Sequence, residues 1–85
     1  MKSEMILEFD INAIQDLSYW IKVDRERILK LIKDVSKNPF EGLGKPEPLK
    51  FFLSGYWSRR IDHEHRPVYS METEKIRILS CRFHY

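Results

Sequence analysis

The stretch 56–85, YWSRRIDHEHRPVYSMETEKIRILSCRFHY, decides the fold. Its apolar residues recur every second position, the period of a pleated strand. Tyr56–Ile61, His65–Met71 and Ile76–Tyr85 read as three antiparallel strands, separated by Asp62-His63-Glu64 and Glu72-Thr73-Glu74. Alternation assigns faces. Leu79, Cys81 and Phe83 share the face that should meet a second layer, leaving Ser80, Arg82 and His84 on the open one. Trp57 and Ile61 face inward by the same rule, with Ser58 and Arg60 opposite. In the middle strand, placing Tyr69 and Met71 inward puts Arg66 on the open face. Pro67 has no N–H for the ladder and predicts a local irregularity.

Working outward from that stretch, all three glycines (Gly42, Gly44 and Gly55), together with Pro46 and Pro48, lie between Glu41 and Tyr56. An irregular segment of this length in a small domain is more often functional than idle. Before it, Ile28, Leu31, Ile32 and Val35 follow i, i+3, i+4, i+7 spacing until Asn38-Pro39, with Asp24 as the cap that starts this helix. Ile14, Leu17 and Ile21, with Trp20 beside them, predict an earlier helix that exposes Gln15, Asp16 and Lys22 and is capped by Asp10 or Asn12. Met5–Phe9 is a short apolar strand. The expected fold is α+β, a two-layer sandwich with the N-terminal strand and a helical hairpin packed on one face of an antiparallel sheet.

Eighty-five residues, 42% hydrophobic and 33% charged, suit one domain spanning 1–85 that buries about 60–65% of its unfolded surface. No apolar run approaches the roughly 18 residues of a membrane span, and Met1–Glu8 lacks the basic-then-apolar layout of a secretory signal. A cytoplasmic protein without membrane contact is expected. Cys81 is the single cysteine and has no internal disulfide partner. Fifteen Lys+Arg against thirteen Asp+Glu leave a net charge of +2, too little for tight, sequence-blind RNA binding. An RNA substrate would therefore have to be presented by something else.

The open face gathers Arg60, Arg66, Arg82 and His84, and the Pro46-Glu47-Pro48 loop can supply Glu47 and Lys50. A carboxylate, a histidine and several guanidiniums suit cleavage of RNA by attack of its own 2′-hydroxyl on the adjacent phosphate. That reaction needs a base, an acid and cations around a five-coordinate phosphorus, and no metal or other cofactor. Tyr85 reads equally as a ring at the edge of the core or a ring over the site.

Pro39-Phe40-Glu41-Gly42, Gly44-Lys45-Pro46-Glu47-Pro48-Leu49-Lys50, Leu53–Ile61, Glu64-His65-Arg66, Val68-Tyr69 and Cys81–Tyr85 together resemble the YoeB/Txe family of RelE-type toxins. The resemblance covers essentially the whole chain. It implies a microbial-RNase-like sheet and an endoribonuclease that cuts mRNA in the ribosomal A site. By motif, Glu47 would be the general base and His84 the general acid. Arg66 would stabilise the phosphorane, Arg60 and Lys50 would hold phosphate, Tyr85 would stack on the nucleotide, and Glu64 would orient Arg66. The resemblance also implies a cognate YefM-like antitoxin and a toxin homodimer. Pro67 departs from the apolar strand residue usual in the family, and Phe83 replaces a frequent Tyr.

Two rival functions are weaker. His63, His65, Cys81 and His84 are potential metal ligands, yet no pair has CxxC or HExxH spacing, and Cys81 and His84 point to opposite faces. An inactive RelE-fold regulator that only binds a ribosome or antitoxin would be expected to lack Glu47, Arg66 or His84; all three are present.

Overall fold

Ile76 and Ile78, both essentially inaccessible to solvent, anchor the sheet to the helical layer. The computed structural model in which they do so describes residues 5–82 and, of Leu53, the backbone alone. In chain order the elements are β1 (Ile6–Phe9), α1 (Ile11–Lys37), β2 (Glu47–Pro48), a 3-10 turn (Phe51–Leu53), β3 (Tyr56–Ser58), β4 (Val68–Glu72) and β5 (Lys75–Ser80). The five strands form one sheet in the order β1-β5-β4-β3-β2.

The α+β class and the three C-terminal strands agree with the sequence, and two features correct it. The sheet is mixed, because β1 joins its edge parallel to β5, pairing Leu7 with Ile76 and Phe9 with Ile78, instead of lying on its face. At the opposite edge Glu47 and Pro48, expected in a loop, form β2 antiparallel to β3.

The expected helix pair is realised as two segments of α1, broken at Asp24, where φ is −158° and ψ 75°. Asp24 acts as the cap: its Oδ1 accepts the Arg27 N–H at 3.2 Å. Beyond the break Ile28, Leu31 and Val35 are buried as the spacing requires. Before it the inward face is rotated by one position. Ala13 and Trp20 are buried and Leu17 packs beside them, while Ile14 and Ile21 are exposed. Asp16, expected in water, turns inward to accept the Cys81 N–H at 2.9 Å. Asp10 occupies the N-cap position, but its carboxylate takes Arg77 Nε at 2.8 Å and makes no side-chain cap.

The irregularity expected near Pro67 falls one residue later. Val68 pairs with Ser80 and Tyr69 with Ile78, so Leu79 is the extra residue of a β-bulge. The bulge resets the alternation. Ile76 and Ile78 face the core, and Cys81 returns to it fully buried, whereas Leu79, expected beside Cys81, is half-buried and outside the core cluster. Trp20 Nε1 donates to the Cys81 carbonyl at 2.7 Å, so both backbone groups of Cys81 are tied to α1.

Candidate functional site

Glu47 is extended because prolines flank it: the ring of Pro48 bars its predecessor from helical backbone, and on an edge strand the missing proline N–H costs no ladder bond. Pairing with β3 sets Glu47 opposite Ser58, and β3 in turn sets Ser58 opposite Val68, two residues after Arg66. The three side chains meet there. Arg66 Nη1 donates to Glu47 Oε1 at 3.1 Å and to the Ser58 hydroxyl at 3.3 Å. The Arg66 side chain is 18% exposed and that of Glu47 55%. A sheltered cation thus holds a carboxylate that water, or a substrate, can reach. An ion pair this open is worth at most about 1 kcal/mol, so an incoming phosphate can displace it.

The turn before Arg66 is fixed by Asp62, whose Oδ1 accepts the N–H groups of Glu64 at 2.9 Å and His65 at 2.7 Å. Burial raises the Asp62 pKa, but these two donors outweigh it and hold the carboxyl below its ordinary value. His65 is buried edge-on against Trp20, with ring centroids 5.3 Å apart. The Glu64 carboxylate lies 3.7 Å from His65 Nε2, and among the described residues no hydrogen bond or ion pair joins it to Arg66. Ser58 bonds Arg66 instead. Its position opposite Trp57 in the alternation was the signal that it shared the face of Arg66, although Ser58 is fully buried there.

Behind the site, Arg59 is completely buried. Its guanidinium bonds Asp34 Oδ2 at 2.6 Å, the Leu43 carbonyl at 3.2 Å, the Glu41 carbonyl at 3.1 Å and the Asn38 carbonyl, while Nε donates to the Tyr69 hydroxyl at 3.1 Å. Burial, only partly offset by Arg59, pushes the Tyr69 phenol up, so it keeps its proton and donates to the Pro39 carbonyl at 2.7 Å. Residues 38–43 therefore wrap one guanidinium on their way to Glu47. Gly42, at φ +121°, lies so close to the Asp34 carboxylate that a Cβ would collide with it. Arg59 shares the inward face with Trp57; a charge there required an acid at its side, and Asp34, one helical turn before Asn38, was its sequence signal.

The other expected residues that the structure describes are dispersed. Lys50 is exposed just beyond β2. Arg60 is exposed too, but lines a cleft with Arg27, Lys30, Lys45 and Asp62, and no hydrogen bond or ion pair among the described residues joins it to Glu47 or Arg66. Arg82, expected on the open face, stacks its guanidinium over the Tyr19 ring at 3.7 Å, which commits it to α1. Phe83, His84 and Tyr85 lie outside the described residues.

Burial, with the Asp16 carboxylate adding to it, pushes the Cys81 thiol up to about 12. It should therefore resist an aromatic disulfide reagent at pH 8 while the chain is folded and react at one thiol per chain in denaturant. Rapid modification of the folded chain would contradict the burial.

The family profile for the YoeB-like toxin of bacterial type II toxin-antitoxin systems matches residues 9–85. The chain belongs to the YoeB toxin family. It is 52% identical over 73 residues to Toxin YoeB of Escherichia coli (strain K12), covering 82% of this chain and 87% of that one. It is 48% identical over 82 residues to Toxin RelK of Mycobacterium tuberculosis (strain H37Rv), covering 93% and 96%. Among solved structures, the YoeB/ParE toxin from Agrobacterium tumefaciens superposes with a TM-score of 0.86 at 43% identity, over 95% of this chain and all of the other. The YoeB dimer from Staphylococcus aureus gives 0.84 at 41%, over 98% and 100%. YafQ from E. coli strain BL21(DE3), at 17% identity and a TM-score of 0.78, shares the fold alone. This YoeB-family chain is thus a toxin of a type II toxin-antitoxin system with the mixed-sheet α+β fold of its relatives.

Proposed function

We propose that the chain is a ribosome-dependent endoribonuclease that cuts mRNA in the A site and so stops translation. The observation that carries this reading is the junction of Glu47, Ser58 and Arg66 on the open edge of the sheet. Glu47 removes the 2′-hydroxyl proton, and the 2′-oxygen attacks the adjacent phosphorus. Arg66, whose Nε and Nη2 have no partner among the described residues, stabilises the extra charge of the five-coordinate phosphate. The 5′-oxygen leaves with a proton from His84, giving a 2′,3′-cyclic phosphate and a 5′-hydroxyl. Side chains supply the base, the acid and the counter-charge, so the chemistry calls for no metal.

Lys50 and Arg60 hold flanking phosphates, Arg60 from the neighbouring cleft, and Tyr85 stacks on the nucleotide. The net charge of +2 supports delivery of the message by the ribosome, and with it a cytoplasmic activity. No helix among the described residues is long and apolar enough to cross a membrane. The YoeB–YefM complex and the YoeB dimer from S. aureus support a YefM-like antitoxin and a homodimer as the protein partners.

Primer extension on messenger bound to programmed ribosomes tests the reading. A new 5′ end within the A-site codon is the expected product. Uncut message at saturating protein, with the ribosome occupied, would instead make the chain an inactive ribosome-binding regulator.

A further inference from the structure

We propose that Phe51 and Phe52 form a nucleobase-stacking platform for the single-stranded RNA that reaches the Glu47–Arg66 pair. The proposal rests on the nuclease reading and adds a substrate contact to it. Phe51 is 88% exposed and Phe52 101%, two adjacent aromatic side chains left entirely to water. Burying either would contribute about 1.5–3 kcal/mol to folding, yet the chain leaves that gain unused. Phe51 has a φ of +59°, a left-handed backbone that is costly for a bulky residue. Its carbonyl accepts the Ser54 N–H at 3.0 Å, closing the turn that keeps both rings out.

The turn is continuous with the site. Leu49, buried and bonded through its N–H to the Tyr56 carbonyl at 2.9 Å, anchors the end of β2, and Lys50 and the two rings follow. Phe51 is four residues from Glu47, a backbone separation of at most roughly 13 Å at strand rise. Charge selects the occupant. No acidic residue occurs in 48–61, and Lys50 has no ion-pair partner among the described residues. A ring face beside an unpaired cation matches a nucleotide, which offers a π-face and a phosphate together. An apolar protein surface would need no such cation.

The test places 2-aminopurine beside the A-site codon of a message carrying 2′-deoxyribose at the scissile position, both as a free oligonucleotide and on programmed ribosomes. The wild-type chain should quench the fluorescence in at least one presentation, and the Phe51→Leu/Phe52→Leu double variant should not. Leucine keeps the apolar bulk and removes the π-face, and both positions are exposed, so circular dichroism should be unchanged. On cleavable message the double variant should raise KM about tenfold or more, with kcat within about twofold. Quenching that persists in the variant, or is absent with the wild type in both presentations, overturns the proposal. So does a KM that Leu preserves and Ala does not, which marks a protein partner on the turn. Stacking without cleavage by the wild type would uphold the platform while removing the nuclease reading.

Discussion

Glu47→Ala and His84→Gln should each slow A-site cleavage by about 10²–10⁴-fold while leaving ribosome binding and folding nearly intact, the range removed when one partner of general acid–base catalysis is lost. For Glu47 the structure separates the two effects. Its carboxylate is more than half exposed, and its pairing with Arg66 is of the kind that contributes little to stability. Removing it therefore leaves β2 in place, since Pro46 and Pro48 and the bonds to β3 hold the backbone. Arg66→Lys should also cut slowly, because a point charge cannot reproduce the planar, bidentate fork of a guanidinium. The Glu47→Ala/His84→Gln double variant should be little slower than the worse single one, since a base without its acid already fails. Single-turnover cleavage on programmed ribosomes reads all four; wild-type cutting by Glu47→Ala removes Glu47 from the proton transfer, whatever the ribosome does.

The local chemistry of the chain was legible where one periodicity dominates. Strand alternation placed Trp57 and Cys81 inward, and the second half of α1 follows its spacing; the middle strand left the face of Tyr69 open, and Ser58, expected outward, is fully buried beneath Glu47 and Arg66. Legibility failed where tertiary contacts choose between near-equal faces. Ile14 and Ile21 have the right spacing, but Ala13 and Trp20 pack better beneath the sheet, and Asp16 gains the Cys81 N–H by the same rotation. Leu79 broke the alternation through a bulge, which depends on the register of two strands and so has no signature in one. The parallel pairing of β1 with β5 joins segments about seventy residues apart, beyond any local pattern. At the site, Glu47 and Arg66 were recognisable as motif residues and do meet, whereas alternation grouped Arg60 and Arg82 with them because it was extended past the ends of the strands. Strand β3 ends at Ser58 and β5 at Ser80, so the alternation no longer fixes where Arg60 and Arg82 point.

Asp34→Ala should destabilise the fold by about 3 kcal/mol at neutral pH, a large fraction of the roughly 5–15 kcal/mol available to a small domain. The variant leaves the Arg59 guanidinium in the interior with carbonyls and a phenol but no counter-charge. The lower end of the range for a broken buried pair applies, because Asp34 is 24% exposed and water can follow it in. Asp34→Asn keeps an acceptor for the Leu43 N–H and loses only the charge, so it should cost less. Acid should reveal the same interaction. Burial raises the Asp34 pKa, but the Leu43 N–H and the hydrogen bond and charge of Arg59 prevail and hold it below the ordinary 3.8. A depressed carboxyl stabilises the folded chain fully above its unfolded value and loses that contribution as pH falls through its folded one. The gap between wild type and Asp34→Ala in urea unfolding should therefore be constant from pH 7 to about pH 5 and close below about pH 4. Because residues 38–43 wrap Arg59 before the chain reaches Glu47, the variant should also lower cleavage at temperatures where it remains folded. A gap that persists unchanged at pH 3 would mean that Asp34 acts through packing and not through its charge.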